Sequence, residues 1–211
     1  MLVVHDWSCT LPLLFFKNLY VYFNGIEFEN RFFQKIVGKI KKEKIISIGD
    51  QVKEMYPKST LIYNGVDRKL FIPLNLKRIK NSVGFVNPHN DWYNYEKIKK
   101  AVEDLGLIFK DTNMSLPRSE MPIFFNEIET FISIPEPFAG FNMSWVEAMA
   151  CNVPKIIGNY NGVGKQLNIN HIENFNSIKD AIKNAKIEKN YKINPEFNWE
   201  KHVDKLLELV K

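Results

Sequence analysis

The chain has 211 residues, of which 45% are apolar and 13% aromatic, and a formal net charge of +5. That composition excludes a wholly disordered chain and allows one large domain or two small ones. The mild positive charge permits nucleotide phosphates, anionic lipid headgroups or nucleic acid as partners and selects none of them. Short β-type runs alternate with longer helical patterns, the rhythm of a parallel α/β sheet. "LVVHDW" and "LYVYF" read as strands. "ENRFFQKIVGKIKK" reads as a helix with Phe32, Phe33, Ile36, Val37 and Ile40 on one side. "KIISIG" follows as a strand, "DQVKEMY" as a short helix, and "STLIYNGVD" as a strand running into a turn.

The segment "FIPLNLKRIKN" (71–81) interrupts this rhythm, and its proline and mixed basic residues mark it as the linker. Beyond it come strand "SVGFVN", helix "YEKIKKAVEDLG", strand "LIFKD", helix "EMPIFFNEI" and strand "TFISIP". Helix "GFNMSWVEAMA", strand "PKIIGN" and the helical patterns "SIKDAIKNA" and "NWEKHVDKLLELVK" complete the chain. The first half thus holds about four strands and the second about five. A two-lobed α/β chain of this kind places its ligand in the crevice at the C-terminal ends of strands, just after "FVN", "ISIP" and "IIGN".

Several chemistries fail on spacing. "GNYNGVGKQ" has one residue too many between its glycines for a P-loop, and Gln166 stands where a magnesium-binding Ser or Thr belongs. No GxGxxG opens a first helix, and no GxSxG elbow or DxD pair occurs. His5, His89, His171 and His202 lack metal-ligand spacing, so no metal site is expected. Cys9 and Cys151 form no CxxC pair, which suits a reduced, intracellular setting. "MLVVHDWSCT" has no basic lead-in and does not read as a signal peptide, and "CTLPLLFF" is too short to span a bilayer. The expectation is a cytoplasmic chain, at most peripheral to a membrane. The densest basic run, 35–44, lies on one predicted helix. It reads first as a solvated face and next as a contact with an anionic membrane surface. No aromatic platform accompanies it, which argues against nucleic acid.

The stretch "PEPFAGFNMSWVEAMACNVPKIIGNYNGVG" (135–164) carries the clearest chemistry. Residues 138–140 are expected to form a tight turn, with a helix beginning near Phe141. Gly140 lets a ligand approach the backbone closely, and free amides at a helix start favour an anion or a hydroxyl oxygen. Glu147, six residues beyond Phe141, would lie roughly 9 Å along the axis. A carboxylate there accepts two hydrogen bonds at once, which suits a vicinal diol such as a ribose. Its neighbours Trp145, Val146, Ala148, Met149 and Ala150 argue against a merely solvated glutamate.

"AGFNMSWVEAMACNVPKI" resembles the donor-binding signature of the GT-B glycosyltransferases of family 4, E-G-F-G-x-x-x-x-E-A-M-A-C-G-x-P-V-I. "LIYNGVDRKLFIP" resembles the family's I-P-N-G-V-D-x-x-x-F-x-P element between domains. "MPIFFNEIETFISIP", "GNYNGVGKQL" and "FNWEKHVDKLLELVK" resemble later segments in the family's order. "LVVHDW", "VYFNGIE" and "KIISIGDQVKEM" resemble strands of its acceptor-side domain, with Asn24 in place of a histidine. Three departures stand out. Ala139 replaces the first glutamate of the paired-glutamate motif, Phe85 replaces the strand-end arginine, and that arginine's lysine partner has no clear equivalent.

The resemblance implies two Rossmann-like lobes. The first, 1–75, is a truncated acceptor-side lobe; the second, 76–200, binds the nucleotide sugar; and 201–211 is a closing helix. It implies a retaining, metal-independent transfer of a hexose from a UDP- or GDP-linked donor to an unidentified glycan, lipid or protein, with no cofactor. Glu147, Gly140, Phe141 and Asn142 would hold the donor nucleotide, and Asn161, Gly162, Asn87 and His89 the sugar and diphosphate. His5 and Glu136 are the catalytic candidates, and His89, Lys97 or Arg118 could supply the missing positive charge or hydrogen bonds if the loops fold inward. The departures leave open a degenerate binding module, or a subunit active only in a complex such as a homodimer.

Overall fold

The computed structural model describes residues 2–5, 19–23, 31–136 and 141–209. The first sheet contains β1 (Leu2–His5), β2 (Leu19–Phe23), β3 (Ile45–Ser47) and β4 (Thr60–Leu61) in that spatial order. All neighbours pair parallel, with Val21 opposite Ile45 and Ile46 opposite Thr60. A parallel sheet is covered on both faces, so its strands carry apolar residues at consecutive positions. Leu19, Val21, Phe23, Ile45 and Ile46 are accordingly all buried. Helices α1 (Arg31–Ile40) and α2 (Asp50–Met55) contribute Val37 and Val52 to the cluster around Val21, Phe23 and Ile45.

The second sheet contains β5 (Ser82–Phe85), β6 (Ile108–Asp111), β7 (Thr130–Ile132), β8 (Lys155–Gly158) and β9 (Asn170–His171). Its order is β6–β5–β7–β8–β9, again parallel throughout. Around it lie α3 (Tyr95–Asp104), α4 (Met121–Glu127), α5 (Met143–Ala150) and α6 (Ile178–Asn184), and α7 (Trp199–Glu208) closes the chain. Ser177 starts α6 by accepting from the Asp180 amide, and Asn198 starts α7 by accepting from those of Glu200 and Lys201. The expected strand count holds for both lobes among the described residues. The fifth strand of the second sheet is β9, which no run in the sequence names because Asn170 and His171 at a sheet edge leave no pattern to read. Among the described residues no helix is long and apolar enough to cross a membrane.

The linker 71–81 has no helix or strand, yet it is fixed in place. Asn126 accepts from the Leu74 amide at 2.7 Å and donates to the Ile72 carbonyl at 2.9 Å. Arg78 donates to the carbonyls of Phe125, Ile128, Cys151 and Asn152 at 3.0, 2.7, 3.3 and 2.9 Å. These are C-terminal carbonyls of α4 and α5 and their following turns, which have no next helical turn to pair with and which a guanidinium fork satisfies together.

The lobes meet through the "NGVD" turn. Tyr22 donates to Asn64 Oδ1 at 2.8 Å, and Asp67 Oδ1 accepts from the Lys69 and Leu70 amides at 3.0 and 3.1 Å. A Cβ on Gly65 would stand 2.2 Å from the backbone nitrogen of Trp199, so glycine is what lets α7 begin there. Gln166 of the second lobe donates to Tyr63 Oη at 2.7 Å and also bonds Asp50. One apolar cluster runs from Ile46, Ile48 and Ile62 through Val66 and Phe71 to Phe131 and Trp145, joining the lobes into one core.

Candidate functional site

The crevice between the lobes holds a cavity of about 580 Å³, within the usual range for small-molecule sites. Ile48 and Asn64 line it from the first lobe, and Asn87, Trp92, Arg118 and Glu147 are among those lining it from the second. It therefore opens at the end of β5 and at the start of α5, where a doubly wound sheet presents its loops.

Helix α5 begins at Met143, two residues later than the sequence suggests, with Asn142 at its N-cap in an extended conformation. The shift has a local cause. The Asn142 carboxamide does not cap its own helix: Nδ2 donates to Ser133 Oγ at 2.8 Å, while Oδ1 accepts from Ser144 Oγ at 2.6 Å. Ser133 in turn donates to Asn87 Oδ1 at 2.7 Å. This chain of four polar side chains ties the end of β5, the end of β7 and the start of α5 together on the cavity wall. It leaves the first-turn amides of α5 without a side-chain cap, so they remain available to an acceptor.

Glu147 lies four residues after Met143, roughly 6 Å along the axis, and is only 4% exposed. The helix around it is buried on nearly every side, with Trp145, Val146 and Ala148 fully enclosed and the Trp145 indole donating to the Ser133 carbonyl at 3.1 Å. Arg118 Nη1 approaches Glu147 Oε1 to 2.9 Å as an ion pair. The approach is off the ideal hydrogen-bonding direction, so the guanidinium satisfies Oε1 only in part. Burial raises the Glu147 carboxyl above its ordinary range, and the Arg118 charge acts against that rise. A buried carboxylate is costly unless its oxygens are met by donors, and beyond Arg118 a ligand or water would supply them.

The other expected site residues fall into three groups. Asn87 lines the cavity beside Glu147, as do Phe141 and Asn142, and Phe141 packs edge-on against Phe197 at 5.0 Å. His89 does not line the cavity. It pairs with Asp111 and stacks on the Tyr95 ring at 3.9 Å, away from the cavity lining. Asn161 and Gly162 lie on the neighbouring loop, outside that lining. There Asn161 donates to the Pro135 carbonyl at 3.0 Å and Gly162 takes a left-handed φ of 54°. Glu136 has its amide bonded to the Trp92 carbonyl at 2.8 Å, which places it on the rim loop. Ala139 and Gly140 lie outside the described residues, as does the His5 side chain, whose backbone ends β1.

Phe85 is fully buried, in a cluster with Tyr95 and Ile98. Lys97 bonds the side chain of Asn94 at 2.8 Å. Of His89, Lys97 and Arg118, the residues expected to supply positive charge, Arg118 is therefore the one that lines the cavity, and it is the one cation among the described lining residues. Trp92, Thr112 and Met121 enter the lining only through the fold. Among the described residues no group of three or more His, Cys, Asp or Glu side chains comes together.

No family model and no curated protein matches this chain. Solved structures do. TarM from S. aureus, a mutant in complex with Fondaparinux, alpha-GlcNAc-glycerol and UDP, superposes with a TM-score of 0.62 at 14% identity, covering 98% of this chain and 55% of that one. HepE from Anabaena in complex with UDP gives a TM-score of 0.63 at 10% identity, over 86% of this chain and 67% of that one. An α,α-trehalose-phosphate synthase from Burkholderia vietnamiensis gives 0.59 at 10% identity, over 99% of this chain and 67% of that one. The chain is thus an α/β molecule of two parallel-sheet, Rossmann-like lobes resembling the GT-B glycosyltransferases. It spans about half to two-thirds of the length of these structures.

Proposed function

We propose that the chain binds a nucleotide sugar in the inter-lobe cavity and acts as a retaining hexosyltransferase of the family 4 type. The observation that carries this reading is Glu147: a buried carboxylate on the cavity wall whose charged neighbour is the half-exposed Arg118. The vicinal hydroxyls of a ribose would supply donors to it. The uncapped first-turn amides of α5 would receive phosphate oxygens, and Asn87, held by Ser133, would face the sugar. In this reading the lobes act as acceptor side (1–75) and donor side (76–200), with 201–211 closing the molecule. UDP- and GDP-hexoses are the donors, and departing phosphate and incoming hydroxyl react on one face of an oxocarbenium-like sugar. No metal is required. His5 and Glu136 would face the transferred sugar from the two sides of the cleft, with Asn161 and Gly162 on the adjoining loop.

A second reading is a binding module without turnover, and the burial of Phe85 favours it. A glycosyltransferase lacking the strand-end cation loses a preorganised contact to the leaving group, which commonly costs about 100- to 1000-fold in rate. The exposed Lys35 and Lys39 on α1 would be the contact with an anionic membrane surface, while Lys41 of the same basic run is buried.

Incubation with UDP-glucose, UDP-N-acetylglucosamine and GDP-mannose, followed by mass spectrometry, separates the readings. Release of free nucleotide that disappears in Glu147→Ala supports transfer. Tight nucleotide binding with no release from any donor, alone or with cell extract, supports the binding module.

A further inference from the structure

The pair Arg118–Glu147 is the only charged pair among the described residues that line the cavity, and it leaves that lining electrically neutral. A nucleoside diphosphate brings negative charge into it. The strand-end position that could offset this charge holds Phe85 inside the core, His89 is committed to Asp111 and Tyr95, and Lys97 is bonded to Asn94.

On the reading that Glu147 receives the ribose, we infer that Arg118 is an exchange residue: its guanidinium leaves Glu147 as a nucleoside diphosphate enters and pairs with the phosphate oxygens. Three features make the exchange physically balanced. The Arg118 side chain is 55% exposed against 5% for Glu147, so the arginine is the partner free to move. Its resting contact is a single 2.9 Å approach of Nη1 to Oε1, and the guanidinium also lies over the Phe71 ring at 5.0 Å. Finally, the ligand replaces both partners at once. Ribose hydroxyls donate to Glu147 Oε1, and phosphate oxygens accept the paired N–H groups of the guanidinium, for which its planar fork is suited. Removing one member of a buried ion pair is strongly unfavourable when nothing takes its place. A nucleotide avoids that cost, whereas a nucleoside supplies only half of the replacement.

The specificity this produces is for phosphate charge, and it is read as a ratio. Affinities of uridine and UDP, and of guanosine and GDP, are measured calorimetrically for the wild type, Arg118→Ala and Arg118→Gln at low and high salt. The diphosphate-to-nucleoside affinity ratio is expected to fall by about tenfold or more in both variants, with a weaker salt dependence of diphosphate binding. Nucleoside affinity is expected to stay level or rise. Arg118→Gln keeps an amide near Glu147 without the charge, so it carries the test where Arg118→Ala does not fold. A ratio within about twofold of the wild type in a variant that still binds nucleoside overturns the exchange and leaves the nucleotide site standing. A wild type that binds neither nucleosides nor diphosphates overturns the reading of the site itself, and the exchange with it.

Discussion

His202 Nδ1 lies 2.9 Å from the backbone oxygen of Tyr63, a contact between residues 139 positions apart. Through it the closing helix α7 is fastened to the first lobe, with the His202 ring also against Tyr22 at 5.9 Å and Trp199 at 5.2 Å. His202→Ala leaves the Tyr63 carbonyl without this partner and opens space beside two aromatic rings. The expected loss is about 1–3 kcal/mol, seen as a fall of roughly 2–4 °C in Tm per kcal/mol for a chain of this size.

Gly65→Ala probes the same junction from the other side. The added Cβ would meet backbone atoms of Asn198 and Trp199 at 2.5 and 2.2 Å, and backbone cannot rotate away. The helix start must shift, at a cost of about 1–3 kcal/mol or more. Thermal unfolding should show a Tm at least as low as in His202→Ala. The double variant should lose less than the sum, because both changes detach one helix.

Arg78→Ala removes a donor set shared by four carbonyls, those of Phe125, Ile128, Cys151 and Asn152. Those groups follow the two helices that frame the cavity, so the change should lower stability by about 2–4 kcal/mol in urea unfolding. Arg78→Lys should recover only part, since an ammonium cannot span the same spread of acceptors.

Glu147→Gln separates stability from binding. Burial raises the Glu147 carboxyl, so the folded chain keeps this proton at pH values where the unfolded chain has released it. Stability contributed by this group is therefore present below the ordinary glutamate range and is lost as pH rises from that range through the raised value. A neutral glutamine abolishes that loss. The variant should be at least as stable as the wild type at neutral pH and show a flatter dependence on pH in urea unfolding. Its affinity for nucleoside diphosphates should fall about tenfold or more.

Both sheets are legible in the sequence because parallel strands buried on two faces must be continuously apolar: "LYVYF", "SVGFV" and "TFISI" admit little else. Glu147 is legible for a related reason, since a carboxylate inside "SWVEAMA" has to be buried when the helix is. What escapes is set by tertiary contact. The start of α5 is displaced because Asn142 bonds Ser133 and Ser144 in place of its own helix. Arg118 is one of three candidate cations in the sequence, and only the fold selects it and pairs it with Glu147. The linker 71–81 reads as loose from its proline and lysines, yet Arg78 within it is held by carbonyls that no local pattern announces. His89 follows the strand end as expected, but it stacks on Tyr95 and does not line the cavity.

The most direct test of the nucleotide site is a crystal structure of the chain with UDP or GDP bound. The ribose hydroxyls should lie within hydrogen-bonding distance of Glu147, with the phosphates toward the start of α5 at Asn142 and Met143. A nucleotide seated elsewhere, or a Glu147 still paired to Arg118 with the cavity filled, would contradict the account.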